Sequence, residues 1–162
     1  MSEKKTRLLL WKATETQKHD IIPKLLAKGI SVDEPLTDGG MTGLHLAWAQ
    51  GDLKGAQVFL ENGADVEAKD NVERTPLHFA AANGRNIDLI VELISKGATV
   101  DAQSLGGDTP LMKAIMFDNV DAVVALLEKG ASKTLMNAHE RNAENFAKSS
   151  RNEEIISALD SA

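Results

Sequence analysis

The feature that most constrains this chain is a phrase that it repeats. "TGLHLAWAQG" begins at Thr42, "TPLHFAAANG" at Thr75 and "TPLMKAIMFD" at Thr109, spacings of 33 and 34 residues, and a worn copy, "NAENFAKSSR", follows at Asn142. Gly29, Gly63, Gly97 and Gly130 keep the same step and close stretches such as "FLENGAD", "LISKGAT" and "LLEKGAS". A unit this short cannot bury an apolar face by itself. A period of this length therefore means an array in which each unit covers the next.

Each unit reads as start and stop signals for two helices. Thr75 is placed to cap the first, its hydroxyl meeting a free N–H of the opening turn. Pro76 then falls at the first helical position, where a missing N–H costs nothing, and Pro110 repeats it. Leu77, Ala80 and Ala81 supply an apolar face, and Gly84 ends the helix by entering the left-handed region. The second helix carries Ile90, Leu93 and Ile94 at i, i+3, i+4 spacing and closes on Lys96 and Gly97. The apolar columns recur: Ile22, Ala56, Ile90 and Val123, then Leu25, Phe59, Leu93 and Leu126, then Leu26, Leu60, Ile94 and Leu127. Carried into the last unit they give Ile156, Leu159 and the polar Asp160, as expected where an outer face meets water.

These residues resemble the ankyrin repeat: the "TPLHFAAANG" phrase, the "NGADVEA" and "KGATVDA" segments and the period are its signature. The resemblance implies an all-α solenoid of stacked helix-turn-helix units with short projecting β-hairpin loops. It covers residues 1–162 as one domain: an N-terminal cap unit 1–35, central units 36–69, 70–103 and 104–136, and a C-terminal cap unit 137–162. It also implies that the threonine and histidine of the motif bond to each other and to backbone, tying units together. That carries over to Thr42 with His45 and Thr75 with His78, while Thr109 lacks the partner because Met112 stands there.

The first unit lacks the motif; its first helix runs through "RLLLWKAT", and Asp20 as N-cap would put Pro23 in the first turn of its second helix. The third unit has an extra residue in "GRNIDLI", expected in the loop between its helices. The fourth has Asp118 at the glycine position, where aspartate can still adopt the left-handed conformation.

The chain has no cysteine, so it forms no disulfide and no thiolate zinc site. Cytoplasm is the expected location, with nucleus as the alternative. No apolar run approaches the length of a membrane span, and the start lacks the features of a signal peptide. A net charge of −6 without a basic cluster argues against nucleic acid and favours a basic partner. The glycine-bearing "DEPLTDGG" and "SLGGD" match neither a P-loop nor a dinucleotide fingerprint, so no cofactor is expected. "DNVDAV" lacks the glycine turn and terminal glutamate of a calcium loop. His45 and His78 have no nearby ligands to complete a metal site, and Thr75 with His78 lacks an orienting acid and oxyanion hole, so no metal and no catalytic residue is expected.

Function then rests with another protein as partner, bound by a monomer. In ankyrin-like units the concave surface is formed by hairpin tips and the exposed side of each first helix. Trp48, Met116 and Phe117 break the repeat there, and a cluster of large apolar side chains is the usual anchor of an interface. Trp48 equally reads as filler between helices, and Phe117 as tucked under the solenoid. Tip residues Asp38, Met41, Asp70, Val72, Arg74, Leu105 and Asp108 are weaker candidates. An adaptor or scaffold is the first functional reading; a dedicated inhibitor or assembly chaperone of one complex is the second.

Overall fold

The computed structural model describes residues 3–84 and 87–162. Among them are five helix pairs: α1 (Glu3–Glu15) with α2 (Ile22–Leu26), α3 (Gly43–Gln50) with α4 (Leu53–Glu61), α5 (Pro76–Asn83) with α6 (Ile87–Ser95), α7 (Pro110–Met116) with α8 (Val120–Glu128), and α9 (Ala143–Ser150) with α10 (Glu153–Ser161). The odd-numbered helices stack in chain order as one layer; in the second layer α2 packs on α4, α6 on α8 and α8 on α10. Ala47, Ala56, Ala80, Ala81 and Ala114 are buried in this stack, where small side chains let helices approach closely.

The punctuation acts as read. Thr42, Thr75, Thr109 and Asn142 hold extended backbone before α3, α5, α7 and α9. Gly51 and Gly84 close α3 and α5 in the left-handed region at φ 70° and 61°. Asp118 takes that conformation after α7 at φ 60°, and its carboxylate accepts a hydrogen bond from Asn152 Nδ2 at 2.9 Å. The first two columns are fully or nearly buried, and the third is half-buried.

Four expectations change. The projecting loops are hydrogen-bonded turns, with no β-strand among the described residues: Leu36 N–H donates to Met41 C=O, Asp70 to Arg74, Ser104 to Asp108 and Asn137 to Arg141. α2 starts after Ile21, and Asp20 sits in a preceding 3-10 turn (His19–Ile21); Pro23 still lies in the first turn. In α10 the buried residues are Ile155 and Leu159, and Ile156 is only half-buried, because among the described residues nothing packs over that side of α10. The extra residue of "GRNIDLI" concerns residues 85–86, which lie outside the described residues.

Successive turn tips are stitched edge to edge: Asn71 N–H donates to Gly39 C=O (3.0 Å), Leu105 to Val72 (2.8 Å) and Ala138 to Gly106 (2.9 Å). The tips thus form one continuous row, and these backbone groups have no capacity left for a foreign strand.

Candidate functional site

His45 and His78 are buried, and their geometry fixes what they do. Backbone N–H of Thr42 donates to His45 Nδ1 at 3.1 Å, and Thr75 does the same to His78 Nδ1 at 3.1 Å. Nδ1 is therefore the bare nitrogen, and each threonine hydroxyl donates to it at 2.9 and 3.0 Å. Nε2–H donates onward, from His45 to Arg74 C=O at 3.0 Å and from His78 to Asp108 C=O at 2.9 Å, each in the following unit. Both ring nitrogens are committed, which leaves no lone pair for a metal and no base for a nucleophile. At Thr109 the substitute is the Met112 thioether, whose sulfur lies 3.5 Å from Thr109 N; it closes the local cap but has no second atom to reach the last unit.

Burial pushes the pKa of both imidazoles below the ordinary 6.5, outweighing the opposing bonds to Arg74 and Asp108 carbonyls. The unfolded chain therefore takes up protons first as pH falls, and stability is expected to drop below about pH 6.5 by up to about 1.4 kcal/mol per pH unit for each imidazole. Urea midpoints measured between about pH 8 and pH 5 test this. The fall should shrink by half in His78→Ala; an unchanged pH slope in that variant would refute the assignment.

The turn tips lie beside the exposed side of the odd helices. Arg74 stacks 4.6 Å over the Phe79 ring, Lys113 pairs with Asp108 at 2.7 Å, and Arg141 stacks 4.0 Å over Phe146. On α7, Lys113, Met116 and Phe117 share one side at i, i+3, i+4 spacing, with Met116 49% and Phe117 60% exposed. In the neighbouring helices the same positions are Phe79, Ala82 and Asn83 on α5 and Leu46, Ala49 and Gln50 on α3. Asn83 Nδ2 donates to Ala49 C=O at 2.7 Å, which joins those two. α3 and α5 carry no charged residue at all.

The candidates from the sequence divide sharply. Met116 and Phe117 reach this surface; Trp48 does not. Its exposure is 0%, so the reading of Trp48 as a partner anchor gives way to the alternative of filler between helices. Asp70 is likewise corrected. Its carboxylate is buried and spent inside its own turn, accepting from Arg74 Nε and Nη2 at 2.8 and 2.7 Å and from the N–H groups of Val72 and Arg74. Burial alone would raise its pKa, but these Arg74 and backbone hydrogen bonds hold it below the usual carboxylate range. Asp108 is similar: burial is overcome by hydrogen bonds from Lys113 and Asn137. Val72 (44%) and Leu105 (68%) are exposed on adjacent tips, Asp38 is exposed, and Met41 and Arg74 are half-buried.

Other surface residues were not singled out by the sequence reading. Met136 is 59% exposed near the tips. On α1, Lys4, Leu8, Trp11 and Glu15 share one side, and Leu8 is 61% exposed. Lys4, Arg7, Leu8 and Trp11 line a recess with Leu36, and Gln50 Nε2 donates to Glu15 at 3.2 Å. The α1 side therefore continues the α3–α5–α7 surface. Its i, i+4, i+7, i+11 spacing was legible, but without the motif nothing in the sequence aligned it with the other units.

The family described as "Ankyrin repeats (3 copies)" matches residues 65–137 and that described as "Ankyrin repeat" matches 39–71. Over 131 residues (79% of the chain) it is 35% identical to 57% of the Saccharomyces cerevisiae protein described as "Probable 26S proteasome regulatory subunit p28". Over 106 residues (65% of the chain) it is 33% identical to 23% of serine/threonine-protein kinase 12 of Arabidopsis thaliana. Over 116 residues (70% of the chain) it is 35% identical to 18% of palmitoyltransferase ZDHHC13 of Mus musculus. The chain thus spans little more than half the length of the yeast relative and under a quarter of the other two. Repeats of this kind are generally protein-interaction modules, and among the described residues no helix is long and apolar enough to cross a membrane. With the repeat period, the stacked helix pairs and the histidine staples in agreement with these matches, the chain belongs to the ankyrin repeat family.

Proposed function

We propose that this chain is a non-enzymatic protein-binding module, and that it docks its partner on the exposed side of α3, α5 and α7 together with the turn tips. The observation that carries this is Met116 with Phe117: two large apolar side chains, about half and more than half exposed, beside a surface from which charge is absent. Depletion of charge with a few apolar anchors is what the core of an interface looks like. The surface is preformed on stacked helices, so little ordering cost opposes binding. Absence of cysteine fits the cytoplasm or nucleus, and we take the working form to be a monomer.

Met116→Ala with Phe117→Ala is expected to weaken partner capture from native lysate, read by mass spectrometry, while shifting stability by no more than about 0.5 kcal/mol. A large loss of stability would show that both residues belong to the core and would remove the assignment.

A regulatory role, as inhibitor or assembly chaperone of one complex, is the second reading, favoured by similarity to a protein described as a proteasome regulatory subunit. A regulator forms one stoichiometric complex and changes its partner's activity; an adaptor holds two partners at once.

A further inference from the structure

The docking surface has a shape that narrows what it takes, an inference that rests on the reading above. Its floor is α3 and α5, presenting Ala49 and Ala82 with Gln50 and Asn83 beside them. One wall is Leu8 and Trp11 on α1; the other is Met116 and Phe117 at the end of α7. Packed helices lie about 8–10 Å apart, so walls three helices apart enclose a trough wide enough for a helix about 10–12 Å across.

Backbone bookkeeping separates a helix from an extended segment. A strand laid here needs partners for its N–H and C=O groups, and the surface offers none in a row. Helices α3 and α5 satisfy their own backbone, and the turn tips already donate to one another through Asn71, Leu105 and Ala138. A helix arrives with its backbone satisfied, so it alone covers an alanine floor without stranding polar groups.

Charge supplies the polarity of the occupant. The floor carries no charge, whereas Lys4 and Arg7 stand at the rim of the α1 recess. Arg7 lies 3.6 Å from Glu34 in a pair whose arginine is 48% exposed, weak enough for a partner carboxylate to exchange. Local charge at this wall thus runs opposite to the chain's overall −6, and asks for an acidic rather than a basic contact.

We propose that the occupant is an amphipathic α-helix of the partner, laid across α3 and α5. Its apolar stripe rests on Ala49 and Ala82 with an anchor against Met116 and Phe117, and its carboxylates lie beside Lys4 and Arg7.

The test pans the full chain against two displayed peptide libraries, one on a helix-forming scaffold with a randomised face and one of short linear peptides. Binders are expected from the helical library, with apolar residues at i, i+3 or i+4 and i+7 and with Asp or Glu at the flank. They should gain helicity on binding and lose affinity about tenfold or more against Ala82→Trp, which fills the floor, and against Phe117→Ser. The Lys4→Glu, Arg7→Glu double variant should weaken them and flatten their salt dependence. Melting curves of each variant exclude unfolding as the cause. Binders that stay extended yet are lost with Phe117→Ser overturn the helix and leave the docking surface standing. Binders indifferent to both Phe117→Ser and Ala82→Trp, or none from either library, overturn the helix and the docking surface together.

Discussion

Trp48→Ala is expected to lower the stability of the chain by about 3–5 kcal/mol, the range for truncating a large aromatic side chain in a packed interior. Trp48 has no exposed surface and is the largest of the fully buried residues, set in α3 between its neighbours in the stack. Ala81 and Ile115 hold the equivalent position in the next two units, so no other residue of the repeat replaces the lost volume. Trp48→Phe should cost far less. It keeps most of the packing, and it removes an indole N–H that is buried without a hydrogen-bond partner among the described residues. Urea titration of both variants measures the contrast. Equal losses, or a Trp48→Ala variant that is stable but fails to bind, would return Trp48 to the surface.

Gly43→Ala is expected to cost about 1–3 kcal/mol, although alanine is the better helix former. A methyl group on Gly43 would lie 2.1–2.2 Å from the Phe59 ring, which is fully buried and has nowhere to move. Gly43 stands where the next units have Pro76 and Pro110, and Phe59 stands where they have Leu93 and Leu126. The second unit has exchanged both members of one contact: a larger ring on α4 fills the space that a missing side chain leaves on α3. Phe59→Leu alone should also destabilise, by opening a cavity. The double variant should lose clearly less than the sum of the two single ones, since each change relieves the other. Additive losses in the double-mutant cycle would show that the two positions are independent.

The residues that carry the repeat were legible because their signals are local and recur. A threonine before a proline caps a helix in any context, a glycine past the last turn ends one, and columns at i, i+3, i+4 point to one side. The period showed that these sides cover one another, and the histidines followed from recurrence of the motif. The turn at Asp118 was readable for the same reason, since its backbone need is set by its place in the unit.

The binding surface was legible only in part. "LAWAQ" and "AIMFD" look alike as strings: each places a large side chain in the last turn of a first helix. Trp48 nonetheless points into the stack and Phe117 out of it, because one register step in a helix turns a side chain by about 100°. Whether the direction taken is covered depends on what the adjacent unit places opposite. The same dependence hides Asp70 in its own turn, lets the Met112 sulfur stand in for an imidazole, and matches Gly43 with Phe59 across two helices. By itself, then, the sequence determined the solenoid, the helix ends and the staples, because each is written within a single unit. Only the tertiary structure decided which apolar residues are core and which are surface, because burial belongs to contacts between units.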